Sequence, residues 1–167
     1  QQTQLSVVLP YWRNWMRNFP SLHDLVKSEE QEVLLYWRGL GYYSRAKRIF
    51  QSSKLLIDLI GKNHISEISR WPIEVSQWML LPGVGRTTAG SIISSAFDLP
   101  APILDGNVKR ILSRLIAIEE TTSKAQKKLW ELSSSILSAD RPRDFNQSLM
   151  DLGTTVCTPK KPKCSSC

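Results

Sequence analysis

Apolar residues in this chain recur at intervals of three and four, and that spacing limits the fold more than any other feature. Val108, Ile111, Leu112, Leu115 and Ile116 fall at i, i+3, i+4, i+7 and i+8, one stripe of an amphipathic helix. Ala46, Ile49, Phe50 and Ile57 mark a second stripe, with Arg45, Lys47, Arg48 and Lys54 on its wetter sides. Leu129, Leu132 and Ile136 mark a third, started by Thr122 or Ser123 as N-cap. Val33, Leu34 and Trp37 belong to a shorter helix that ends before Gly39. Pro20-Ser21, Gly39-Leu40-Gly41, Gly61, Pro82-Gly83, Pro100, Pro102 and Pro142 cut the chain into pieces of helix length. Pro10 reads as a tolerated kink or a first-turn residue of the opening helix. No period-two run, Asn-Gly hairpin or internal repeat competes with this pattern. The expectation is an all-α fold of many short helices, with the six tryptophans in the core rather than on binding surfaces.

Composition narrows the function. The 167 residues are 41% hydrophobic, enough for a real core and against wholesale disorder. No apolar run is long enough to span a bilayer, so no membrane partner is expected. Lys and Arg number 22 against 15 Asp and Glu, and the net charge of +7 suits a polyanion: a phosphate backbone or an anionic surface. A merely basic soluble protein is the plainer alternative. All three cysteines, Cys157, Cys164 and Cys167, lie near the C-terminal end, an odd number and unlike a secreted disulfide scaffold. The start at Gln1 without a signal pattern and the stop within a cysteine series read as an excised fragment.

Four segments carry chemistry. In Leu81-Pro82-Gly83-Val84-Gly85-Arg86-Thr87, two glycines one residue apart permit a tight turn and leave amides open at the start of the next helix, a seat for phosphate. Such a seat reads backbone rather than base sequence. An ordinary helical corner is the plainer reading. Two prolines around Leu99–Pro102 mark a seam, after which Ile103-Leu104-Asp105-Gly106-Asn107-Val108-Lys109-Arg110 places Asp105 at a helix start. Asp105 and Lys109 share one helix face, although taken alone a simple N-cap with a surface pair to Lys109 is the better reading, since Asp is common at helix starts. Cys157-x6-Cys164-x2-Cys167, interleaved with Lys160, Lys161 and Lys163, can close on one centre, and spacing alone does not choose zinc or iron–sulfur. Gly39-Leu40-Gly41-Tyr42-Tyr43 puts an aromatic just past a glycine-rich turn, where it is either core or a wedge into a base stack.

Together these motifs resemble the helix-hairpin-helix DNA glycosylases, and specifically the adenine DNA glycosylases of the MutY type. Leu-Pro-Gly-Val-Gly-Arg resembles the hairpin, and Leu-Asp-Gly-Asn-Val-Lys-Arg the segment that faces the flipped nucleotide. Gln1-Gln2-Thr3-Gln4, Gly-Leu-Gly-Tyr-Tyr and Phe145-Asn146-Gln147-Ser148-Leu149-Met150-Asp151-Leu152-Gly153 follow the family in order along the whole chain. The resemblance implies a six-helix lobe over residues 1–99 and an iron–sulfur lobe over residues 100–167, incomplete at both ends, with the active site between them. It implies a 4Fe–4S cluster held by Cys157, Cys164, Cys167 and a fourth cysteine beyond Cys167. It further implies Asp105 as the catalytic carboxylate, Gln2 inserted beside the bases, Tyr42 stacked by 8-oxoguanine, Gln147 on the adenine, and Gly83, Gly85, Thr87 and Lys109 at the DNA.

The implied reaction removes adenine mispaired with 8-oxoguanine or guanine from double-stranded DNA, by hydrolysis of the N-glycosidic bond of a flipped-out nucleotide. The family's general acid, a Glu four residues before the first Gln, precedes Gln1, so this fragment is expected to be inactive or severely impaired. Thr87 stands where endonuclease III-type enzymes carry the Lys that forms a Schiff base and breaks the strand, so base removal alone is expected. An endonuclease III-type glycosylase/lyase and a non-catalytic helix-hairpin-helix DNA-binding module remain the alternatives. A monomer in a bacterial cytoplasm completes the expectation.

Overall fold

The structure is a computed structural model and describes residues 5–118 and 122–167. These residues fold as helices and their connections, with no strand among them. In chain order the helices are α1 (Leu5–Asn18), α2 (Leu22–Lys27), α3 (Glu30–Trp37), α4 (Tyr43–Ile60), α5 (Val75–Trp78), α6 (Arg86–Phe97), α7 (Gly106–Leu115), α8 (Ser123–Ile136) and α9 (Pro142–Thr155). Single 3-10 turns lie at Ile68–Arg70 and Cys164–Ser166. None of the described helices is long and apolar enough to cross a membrane.

The helices start where the sequence supplies caps. Ser21 accepts from the Asp24 amide at 3.3 Å while the Asp24 carboxylate takes the Ser21 amide at 3.1 Å, a reciprocal box that opens α2. Thr122, rather than Ser123, caps α8 by accepting from Ala125 N at 3.1 Å. Pro142 occupies the first turn of α9, where its missing N–H costs nothing. Pro10 is instead inside α1, which continues through it.

Two compact units result. Among the described residues, the first comprises 5–72 and 80–83, the second 73–79, 84–118 and 122–167. In the first, α2 and α3 pack on α4, and α1 on α3. Phe19, Leu25, Val33, Ala46 and Phe50 form its core, flanked by Trp15, Leu34, Tyr36 and Trp37. Trp15 meets Phe19 and Trp37 edge-on, with ring centres 5.0 and 5.9 Å apart. In the second unit, α7 packs against α8 and α9, α6 against α9, and α5 against α6. Ile103, Val108, Leu112 and Leu129 form that core, with Leu132, Ile136, Leu149 and Met150 against it. Each such side chain contributes about 1.5–3 kcal/mol by leaving water.

Three expectations need amendment. The α7 stripe is buried through Val108, Ile111 and Leu112, but Leu115 and Ile116 are exposed. The helix stops at Leu115 and Ala117 turns left-handed (φ 49°), which takes the last turn off the core. Ile49 of the α4 stripe is also exposed, whereas Ala46, Phe50 and Ile57 are buried. Among the tryptophans, Trp78 is buried and Trp15 and Trp37 flank the core, but Trp12 is 57% exposed. Trp12 shares an exposed apolar face of α1 with Leu9 and Met16.

Candidate active site

The second unit builds a site around residues 101–105, an extended strap between α6 and α7. A strap outside any helix has no ladder for its carbonyls, so they must find other partners. Asn146 Nδ2, on α9, donates to Ala101 O at 2.9 Å. Ser133 Oγ, on α8, donates to Ile103 O at 2.8 Å. Thr87 Oγ1, in the first turn of α6, donates to Leu104 O at 3.2 Å. The Pro102 carbonyl lies hard against α6 at Gly90, where a Cβ would sit 2.4 Å from its oxygen; only glycine permits that approach.

Asp105 follows directly. Its backbone is extended (φ −79°, ψ −178°), and its Oδ1 accepts from Val108 N at 2.8 Å, so it is the N-cap of α7. The same carboxylate accepts from Asn107 Nδ2 at 3.4 Å. The side chain is half-buried at the positive end of the helix, where a negative charge is favoured. Asp105 and Lys109 are not an ion pair among the described residues, so the cap half of the plain reading holds and the surface-pair half does not. Gln147 is exposed on α9 and donates to Asp151 Oδ1 at 2.9 Å.

Arg110 connects this helix start to the cysteine segment. Its guanidinium donates to Asn107 Oδ1 at 2.9 Å, Gly153 O at 2.6 Å and Cys157 O at 2.8 Å. One turn on, Arg114 reaches Cys157 Sγ at 3.2 Å and Thr158 O at 2.9 Å. Cys157 is half-buried and Cys164 and Cys167 are exposed; all three are free thiols. No three His, Cys, Asp or Glu side chains are gathered for a metal among the described residues. The donor type nevertheless suits a thiolate-bound centre: soft sulfurs with cationic arginine at one of them.

The hairpin residues divide between the units. In the second, Gly85 is the N-cap of α6 and offers no side chain to its first amides, which stay open to an anion. In the first, Gly83 is left-handed (φ 78°), and Ser52 Oγ donates to Pro82 O beside it at 3.2 Å. The first unit also carries Tyr42. Gly39, Gly41 and Tyr42 all have positive φ (99°, 71° and 48°), so the chain doubles back sharply before α4. Trp37 Nε1 donates to Gly41 O at 2.8 Å and secures the turn. Tyr42 stands 65% exposed, with the Arg45 guanidinium 4.8 Å from its ring centre. Gln2 lies outside the described residues.

Asn107, Arg110, Arg114, Ser133 and Asn146 were not singled out by the sequence. The spacing of Arg110 and Arg114 at i and i+4 was a usable signal, since it puts two long cations on one face. Ser133 and Asn146 had none, because their partners lie 30 and 45 residues away.

The second unit thus carries a capped carboxylate and a helix start with open amides, and the first carries an exposed aromatic at a strained turn. Residues 1–135 match the pattern of the HhH-GPD superfamily base excision DNA repair proteins, and the chain belongs to that family. It is 43% identical over 169 residues to the adenine DNA glycosylase of Rattus norvegicus, covering all of this chain and 32% of that protein. For the adenine DNA glycosylase of Buchnera aphidicola subsp. Schizaphis graminum the identity is 41%, again over the whole chain and 47% of the relative. The chain thus spans from about a third to about half of these proteins. The fold is similar to that of a thermostable thymine-DNA glycosylase, with TM-score 0.83 and 25% identity over all of this chain and 75% of that one. It is also similar to endonuclease III in a non-covalent complex with DNA, with TM-score 0.78 and 26% identity over 99% and 74% of the two chains.

Proposed function

We propose that this chain is part of a monofunctional adenine DNA glycosylase, which removes adenine from a mispair with 8-oxoguanine or guanine in double-stranded DNA. The observation that carries the reading is the pair Thr87 and Asp105. Asp105 is a half-buried carboxylate held in one orientation, and position 87 bears a hydroxyl bonded into the strap, where a strand-cleaving enzyme needs an amine nucleophile. The whole-chain identity to adenine DNA glycosylases supports the choice of base.

The reaction breaks the bond between adenine and the deoxyribose of a nucleotide turned out of the stack. Positive charge grows on the sugar as the base departs carrying a proton, and water then bonds to the sugar carbon and gives up a proton in turn. The Asp105 carboxylate stabilises that charge, by its field or by transient bonding to the sugar carbon, as in retaining glycosidases. Gln147 orients the adenine through its amide, Lys109 faces the nucleotide's backbone, and Gly83 and Gly85 leave room for phosphates at the hairpin. Tyr42 stacks by 8-oxoguanine and Gln2 enters beside it. Cys157, Cys164 and Cys167 supply three thiolates to a 4Fe–4S cluster. With those thiolates holding such a cluster, the loop of Lys160, Lys161 and Lys163 would be braced to lie along phosphates.

The test is single-turnover cleavage by the full-length protein of a duplex with adenine opposite 8-oxoguanine, with and without hot alkali. Strand breaks only after alkali are expected. Breaks without alkali overturn the monofunctional assignment in favour of a lyase, with Lys109 the first nucleophile to replace. Tight binding with no base release would make the protein a DNA-binding module.

A further inference from the structure

Two buried polar side chains of the second unit have no part in the chemistry above: Asn146, 3% exposed, and Ser133, 2% exposed. A buried polar group costs about 1–3 kcal/mol if left unbonded, and an apolar residue at either position would leave a strap carbonyl without its donor. Their placement therefore calls for an explanation beyond packing. Each donates its hydrogen bond away from its own helix, to a carbonyl of the strap: Asn146 to Ala101 O at 2.9 Å and Ser133 to Ile103 O at 2.8 Å. Thr87 takes Leu104 O, and the close approach of α6 at Gly90 fixes Pro102 O. Four successive carbonyls are thus held from three helices, α6, α8 and α9. The next residue is Asp105.

We propose that Ser133 and Asn146 are positioning residues for Asp105. They hold the strap at Ile103 and Ala101 so that the carboxylate enters the N-terminus of α7 in a single orientation. The proposal rests on the reading of Asp105 as the group that stabilises charge at the sugar. A shift of about 1 Å in a reacting group costs on the order of 100-fold in rate, so freeing one anchor is expected to slow the chemical step about tenfold or more.

The test uses the full-length protein with Ser133→Ala and Asn146→Leu, and two comparison variants. Ser133→Thr keeps a hydroxyl; Ser94→Ala removes one from a residue that is also fully buried but bonds to Ser91 O within its own helix. Three quantities are read: the single-turnover rate of adenine release, the Kd for the same duplex, and hydrogen exchange at the Val108 amide, whose acceptor is Asp105 Oδ1. Ser133→Ala and Asn146→Leu are expected to lower the rate about tenfold or more with Kd within about twofold, and to speed Val108 exchange. Ser133→Thr and Ser94→Ala are expected to stay near wild type in all three. The proposal is overturned if Ser133→Ala and Asn146→Leu fold but leave rate and Val108 exchange unchanged. It is equally overturned if Ser94→Ala slows release as much as Ser133→Ala. If the unaltered protein releases no adenine, the functional reading fails, and Val108 exchange alone then decides whether the anchors set the Asp105 cap.

Discussion

Replacing Gly90 with Ala sets two effects of known sign against each other. Gly90 lies inside α6, where alanine is favoured over glycine by about 1 kcal/mol. Against this, the new Cβ would fall 2.4 Å from Pro102 O and 3.3 Å from Pro102 C, both backbone atoms that cannot rotate away. Restoring an ordinary contact of about 3.4 Å moves helix or strap by roughly 1 Å, an overpacking that costs about 1–3 kcal/mol. A strap displaced that far also stretches the Thr87 hydrogen bond beyond reach, since it already spans 3.2 Å, at a further cost of about 1 kcal/mol. The net expectation is a loss of about 1–3 kcal/mol, or roughly 3–10 °C in melting temperature for a chain of this size. Urea and thermal unfolding followed by circular dichroism measure it directly. A variant as stable as the parent or more so would refute the reasoning, because helix propensity would then have won and the strap would be soft at Pro102.

Other predictions follow from single contacts. Asp105→Asn keeps an acceptor for the Val108 amide, so α7 is expected to keep its start and the protein its DNA affinity, while adenine release falls about 100-fold or more in single-turnover assays. Gly83→Ala places a side chain on a left-handed residue (φ 78°) and is expected to cost about 1–2 kcal/mol in denaturant unfolding; the nearby Arg48 side chain, 2.5 Å from the new Cβ, can swing aside. At the α2 cap, the Ser21 hydroxyl hydrogen-bonded to Asp24 holds that carboxyl below its ordinary range. A depressed carboxyl stabilises the fold above its unfolded pKa and loses that contribution as pH falls through the folded value. Ser21→Ala is therefore expected to lower the melting temperature at neutral pH and to flatten its fall on the acid side.

The helices were legible because their signals are local. The α7 stripe, the Thr122 cap and the glycine-rich turn before α4 each occupy a few consecutive residues, and periodicity or turn chemistry reads them directly. The limits were local too: Leu115 and Ile116 continue the period, but nothing in their spacing shows that Ala117 ends the helix and leaves them in water. Asp105 could be placed at a helix start from its neighbours. What holds it could not, since Ser133 and Asn146 look like any polar residues in exposed helices until the fold brings them to the strap. Gly90 likewise reads as a mild helix weakness, and its purpose depends on Pro102, twelve residues further on.

Tyr42 combines a backbone that disfavours it with a ring that stands in solvent. A non-glycine residue at φ 48° and ψ 53° carries a conformational penalty of roughly 1–2 kcal/mol, which glycine at the same place would avoid. Laboratory evolution for heat resistance alone is therefore expected to drift towards Tyr42→Gly and discard the ring, while selection for the activity proposed above is expected to retain it. Sequencing the survivors of the two regimes at this codon would show whether the strained turn is kept for its shape or for the side chain it displays.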